Sequence, residues 1–308
     1  MSNRAANKPT ECLFEVADND LRTLSDMYRN NEQNPCVTSL IDNGFRIREM
    51  VKGYPMRFAS PLASWRDTGT FISSIEFDRC VEVGVYTLHP DRPEESANAV
   101  FSGLMFTKRV NFDSARRPVV FKEIHEGLMP VVRRVIKRKR ARIAKEERCR
   151  TFKMIKEEAL QFEISVPDEE NVEVKPLSDV HAFAVLGNWP HGLTGEDVPR
   201  TLIDVNGGYG AFTGDGQLAS WALKTMAGQV GFVQTAERYQ RRGFASAVVK
   251  TLCKELASEG VHPCAVVRAD DAASHNFFDN LGFKAVNTCY DVYLRARSED
   301  EGAGSSRT

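Results

Sequence analysis

Residues 229–260 read QVGFVQTAERYQRRGFASAVVKTLCKELASEG. The segment Gln229 to Thr235 has strand character. From Ala245 onward, Ala245, Val248, Val249, Leu252, Cys253 and Leu256 fall at helical spacing, and Gly260 ends the run. A strand must therefore hand the chain, through a short loop with one glycine, to a helix that starts near Arg242 or Gly243. The first amides of such a helix have no intrahelical partner, so an anion is favoured there. Gly243 lets the backbone approach a ligand closely, Ala245 keeps the next contact small, and Arg241 and Arg242 add positive charge. The spacing accommodates a diphosphate without naming one, and an ordinary capped helix behind a basic loop fits the same residues.

The surroundings narrow the choice. NVEVKPL (171–177) alternates as a strand, and helical stretches follow near 178–187 and 195–206. Then comes a meander. Strands at 209–213, 218–224 and 229–235 are separated by turns at GDG (214–216) and Ala227-Gly228. After the long helix, HPCAVVRA (262–269) reads as a buried strand, 272–280 as a helix stopped by Leu-Gly-Phe, and TCYDVYL (288–294) as a last strand. The order implies a mixed sheet in an α/β chain.

YQRRGFA resembles the acyl-CoA signature of the GNAT acyltransferase superfamily, (Q/R)-x-x-G-x-(G/A), carried by Gln240, Gly243 and Ala245. ADDAASHNFFDNLGF (269–283) is similar to that superfamily's next helix with its closing LGF. The likeness covers roughly 170–295. Within the superfamily, QLASWALKTMAGQVGFVQTAERYQRRG resembles the glycine N-acyltransferase-like group, in which chains of about this length carry two GNAT-like folds. The resemblance implies tandem folds, the first degenerate. No second signature occurs in residues 1–165, and no internal repeat is visible there.

The resemblance also implies direct acyl transfer from acyl-CoA or acetyl-CoA, as co-substrate, to the amine of a small molecule such as glycine. The amides of Arg241, Arg242, Gly243, Phe244, Ala245 and Ser246 would hold the pyrophosphate. The backbone of Val233 and Thr235 would pair with the pantetheine arm. Asp271 falls where relatives often have asparagine, and Phe278 where many have a tyrosine acid; both would flank the cofactor. The glutamate base of glycine N-acyltransferases falls at Gln229, which takes no proton at neutral pH. Substitutes for the missing acid and base are Glu237 ahead of the cradle, Ser274 and His275 beside Phe278, and Tyr290 on the last strand. His191, in NWPHGL, is a candidate for the acceptor mouth, although a loop histidine usually has no such duty. Two other functions stay open: a CoA-binding protein with little turnover, and a protein N-acetyltransferase.

In the first half, Leu21, Leu24, Met27 and Tyr28 share a helix face, with Asp18 or Asn19 as cap. FISSIEF (71–77) and VEVGVYTL (81–88) form a hairpin. Residues 120–162 read as helical, including the basic run VRRVIKRKRARIAKEERCR (132–150), a solvated helix, an import signal or an anion-binding face. The expected division is 1–168, 169–296 and a small polar tail, 297–308, with PDEE (167–170) as linker. A net charge of −1 gives no global field toward nucleic acid or membrane. Seven cysteines, an odd number without a C-x-x-C pair, imply reduced thiols and no metal site. A cytoplasmic protein is expected, with mitochondrial and nuclear placement left open. The sequence sets no oligomeric state.

Overall fold

The structure is a computed structural model that describes residues 11–114, 116–166, 171–187 and 197–296. The expected linker 167–170, His191 and the tail lie outside these residues. The first half runs β1 (Leu13–Glu15), α1 (Asp18–Tyr28), α2 (Val37–Met50), β2 (Met56–Pro61), α3 (Trp65–Thr68), β3 (Phe71–Glu76), β4 (Val81–Tyr86), α4 (Ala97–Phe106), β5 (Val119–His125), α5 (Met129–Arg138), β6 (Ile143–Lys153) and α6 (Lys156–Leu160). The second half runs β7 (Glu173–Pro176), α7 (Ala182–Gly187), α8 (Asp197–Asn206), β8 (Gly208–Phe212), β9 (Leu218–Lys224), β10 (Val230–Thr235), α9 (Phe244–Ser258), β11 (Cys264–Arg268), α10 (Ala272–Asn280) and β12 (Lys284–Leu294). In each half a strand and two helices lead into a three-strand meander. A helix, a strand, a second helix and a last strand follow. The repeat that the sequence hides is plain in the order of elements.

The strands form two sheets among the described residues, β1-β2-β3-β4-β5-β12-β6-β11 and β10-β9-β8-β7. Each half lends its last strand to the other. β12 sits between β5 and β6, and β6 pairs with β11 and β12. A shared core reinforces this exchange. Leu24, Tyr28, Leu40 and Phe71 of the first half belong to one cluster with Leu202, Trp221 and Met226 of the second. Arg46 on α2 donates to the Val205 carbonyl at 2.6 Å and to Asn206 Oδ1 at 2.7 Å, and Asn43 donates to the Met226 carbonyl at 2.7 Å.

The continuous helix expected over 120–162 is absent. Its place holds β5, α5, β6 and α6. Val131, Val132, Val135 and Ile136 bury one face of α5, and the helix stops before Arg140, which turns with φ of 56°. Beyond it Cys149, Thr151 and Phe152 are buried in a strand paired on both sides. The basic run is therefore split between a helix and a strand. A smaller difference is that Ala17, not Asp18 or Asn19, occupies the N-cap of α1.

Candidate active site

β10 and β11 are the facing edges of the two sheets and share no ladder. Between them lies a cavity of about 440 Å³. Its second-half walls are Gln229 to Gln234 on and before β10, Val266 to Arg268 on β11, and Asp271, Ser274 and Phe278 around α10. The first half contributes Ile75, Glu82, Tyr86, Lys122 and Glu123, and the exchanged strands add Glu147, Asp291 and Tyr293. The cavity is thus built from both halves.

β10 loses its register with β9 between Gly231 and Gln234. At this bulge Phe232 takes a φ of 53°, a conformation that costs a non-glycine residue about 1–3 kcal/mol. A bulge re-aims backbone groups away from the ladder, here beside the cavity. Beyond Thr235, a short 3-10 turn at Glu237–Tyr239 leads to Gly243, which caps α9 with φ of 85° and no side-chain cap. Arg241, Arg242 and Gly243 are exposed. Phe244 is buried and lies 6.0 Å from Tyr239, ring to ring, so the helix start is anchored from below. An open helix N-terminus, a permissive glycine and an unpaired strand edge in series suit an extended phosphorylated ligand.

The chemistry of the cavity comes from three strands. Gln229 Nε2 donates to Glu123 Oε2 at 2.7 Å. Glu123 sits in a second bulge, between β5 and β12, with φ of 55°. Asp291, almost fully buried, stabilises that bulge. It accepts the Glu123 amide at 2.9 Å and pairs with Lys122. Burial pushes the Glu82 carboxyl up to about 7, against the pull of Lys122, with Asp291 and Glu123 adding to the rise. Burial likewise raises Glu123, opposed by Lys122. Burial works against the Lys122 ammonium, yet Asp291 and then Glu82 hold it well above its usual range. Glu82 and Glu123 keep partial accessibility because one side of each faces the cavity. Such perturbed groups in a cleft mark a candidate reaction centre.

Of the residues expected from sequence, Gln229, Val233, Asp271, Ser274 and Phe278 line the cavity. Asp271 caps α10, accepting from the Ser274 amide at 3.0 Å and hydroxyl at 2.8 Å. Phe278 is buried, 6.0 Å from Phe152 and 5.1 Å from Phe283 between ring centres. Thr235 ends β10, and Gln240 and Ala245 flank the loop. Three of the candidate catalytic residues lie off the cavity wall. Glu237 is exposed on the loop. His275 Nε2 lies 2.9 Å from the Arg268 carbonyl, with its ring edge-on to Phe152. Tyr290 packs into the first-half core beneath Arg133. Glu82, Lys122, Glu123 and Asp291 escaped the sequence analysis. For Lys122 and Glu123 the available signal was VVFKEIH, where two adjacent charges interrupt an apolar run that a strand would bury.

No helix among the described residues is long and apolar enough to cross a membrane, and no cluster there suits a metal ion. Residues 208–292, from β8 into β12, match the FR47-like protein family. No curated protein sequence matches the chain significantly. A Drosophila protein of solved structure superposes over 94% of this chain and 100% of its own, with TM-score 0.81 and 18% identity. A tandem GNAT protein from the clavulanic acid biosynthesis pathway superposes over 93% of this chain and 99% of its own (TM-score 0.55, 10% identity). A GCN5-related N-acetyltransferase from Sphaerobacter thermophilus does so over 92% and 94% (TM-score 0.54, 10% identity). The exchanged strands, the split between β10 and β11 and these likenesses together give the chain the tandem fold of the GNAT superfamily, with the FR47-like segment in its second half.

Proposed function

We propose that the protein transfers an acyl group from a CoA thioester to the amine of a small molecule. The observation that carries this is the slot between β10 and β11, lined by Gln229 to Gln234 and by the carboxyls of Glu82 and Glu123, with β10 leading on along the chain to the Gly243 loop. The exposed start of α9 would take the pyrophosphate, and the free edge of β10 the pantetheine arm. The thioester carbonyl would lie near the bulge at Phe232 and Val233, whose backbone would face its developing negative charge. The amine nitrogen bonds to the carbonyl carbon and the carbon–sulfur bond breaks. Glu82 takes the proton that the nitrogen loses, and Glu123 is held in place by Gln229. The leaving thiolate needs no partner of its own, since a thiol of pKa about 8.5 leaves readily; this suits a site where Phe278 stands in the slot of a tyrosine acid. In this view the base that the resemblance to glycine N-acyltransferases places at position 229 is supplied from the first half.

The test is thiol release from acetyl-, butyryl- and benzoyl-CoA with a panel of primary amines, beside CoA-induced shifts in Tm. Turnover that disappears in Gly243→Glu supports the transfer. A CoA-induced shift without turnover on any amine would leave a CoA-binding protein, and no shift at millimolar CoA would end both.

A further inference from the structure

The charges of the cavity assign the acceptor more narrowly. Its wall carries Glu82, Glu123, Glu147, Asp271 and Asp291 against Lys122 and Arg268. Both cations are already committed. Lys122 pairs with Asp291, and Arg268 with Glu147 at 3.6 Å and Asp270 at 3.1 Å. Asp271 is engaged by Ser274. What is left facing the cavity is acidic, and an ammonium drawn in would favour the ionised form of both carboxyls: among the described residues Glu82 has no ion pair, and the Glu123 carboxyl is bonded through the neutral amide of Gln229. A substrate carboxylate brought here would meet two unpaired carboxylates and no spare cation, and a desolvated like-charge contact is strongly unfavourable. An ammonium group would meet its complement. Beside Ser73, Thr225 and Gln234, the rest of the wall is mainly apolar, with Leu40, Ile75, Phe77, Leu202 and Met226.

We propose that the acceptor is a primary amine with an apolar body and no carboxylate, bound as the ammonium between Glu82 and Glu123. This rests on the acyltransferase reading above. A free amino acid is then a poor acceptor, although the resemblance to glycine N-acyltransferases would lead one to expect it. The selection is by charge: the amine enters as a counter-ion, loses one proton to Glu82 to become the nucleophile, and after the attack passes its second proton to the departing thiolate, so that CoA leaves as the thiol.

Matched pairs that differ only by the carboxylate test this directly. The affinities of 2-phenylethylamine and phenylalanine, and of tyramine and tyrosine, are measured by titration calorimetry on the protein saturated with CoA, where no transfer occurs. The amine of each pair is expected to bind at least tenfold tighter, and Glu82→Gln to erase most of that ratio. The wild-type ratio alone decides the matter if the variant does not fold. Amino acids that bind as well as their amines, or no binding of either at millimolar concentration, would overturn the proposal. Tight amine binding with no thiol release from any acyl-CoA would instead overturn the transfer, and with it the acceptor role, while the preference for amines would stand.

Discussion

The two halves of this molecule follow one sequence of elements and differ at one strand pairing. In the first half β4 and β5 are parallel neighbours, joined from Val81 and Val119 onward. In the second half the corresponding strands, β10 and β11, lie in different sheets and enclose a cavity. β4 keeps its register with β3 throughout, whereas β10 breaks register at Phe232. The chain after β4 passes through LHPDRPEES, and the chain after β10 through a 3-10 turn and the left-handed Arg241 and Gly243 into a helix. A zipped pair leaves no backbone edge to bind anything. A parted pair offers two edges and a space. The first half has not become idle, since it turns Glu82 and Glu123 toward the space its twin keeps open.

The sharpest way to break this comparison is at the cradle. Gly243→Glu puts a side chain and a negative charge at a left-handed helix cap, and should remove CoA-induced thermal shifts and lower kcat/KM at least ~100-fold, since it attacks both backbone shape and anion attraction. Next comes the donated base. Glu82→Gln should lower kcat by ~100-fold or more, within the span of general base catalysis, and leave the CoA-induced shift intact. In the wild type the rate should rise with pH to a plateau above about 7, as the Glu82 carboxyl ionises, and the variant should lose that rise. If the rate is unchanged, the first half supplies no chemistry.

Stability gives a third, smaller contrast. Glu82 titrates near 7 when folded, against an ordinary 4.5. Between these values the folded state holds more protons than the unfolded one, so stability is lost as pH rises through the window. Glu82→Gln should remove that loss. The variant should be more stable than wild type at pH 8, by up to ~3 kcal/mol, and match it near pH 4, as chemical denaturation would show. Last, Glu237→Gln and Tyr290→Phe should change kcat/KM less than about twofold, because neither side chain lines the cavity. A large loss in either would mean that a proton-transfer group lies outside the slot.

The second half was legible because each of its elements carries a local signal. Its strands alternate, its turns contain Gly-Asp-Gly or Ala-Gly, and α9 is periodic and capped by Gly243. The resemblance to GNAT acyltransferases rests on this same segment. β5 and β6 were not legible. VVFKEIH has its alternation broken by Lys122 and Glu123, the residues that serve the cavity, and a bulge is what lets a strand carry them. IAKEERCRTFK looks like a charged helix until both of its edges are known to be paired.

By itself the sequence determined the order of elements in the second half and the helix start at Gly243. Those are local properties, set by spacing, turn chemistry and side-chain type. The tertiary structure decided what surrounds position 229. Glu123 lies 106 residues earlier in the chain, and reaches Gln229 because the two halves exchange strands and share a core. Hydrogen bonds across such a separation leave no periodicity in either segment, so only the folded chain brings the carboxylates to the slot.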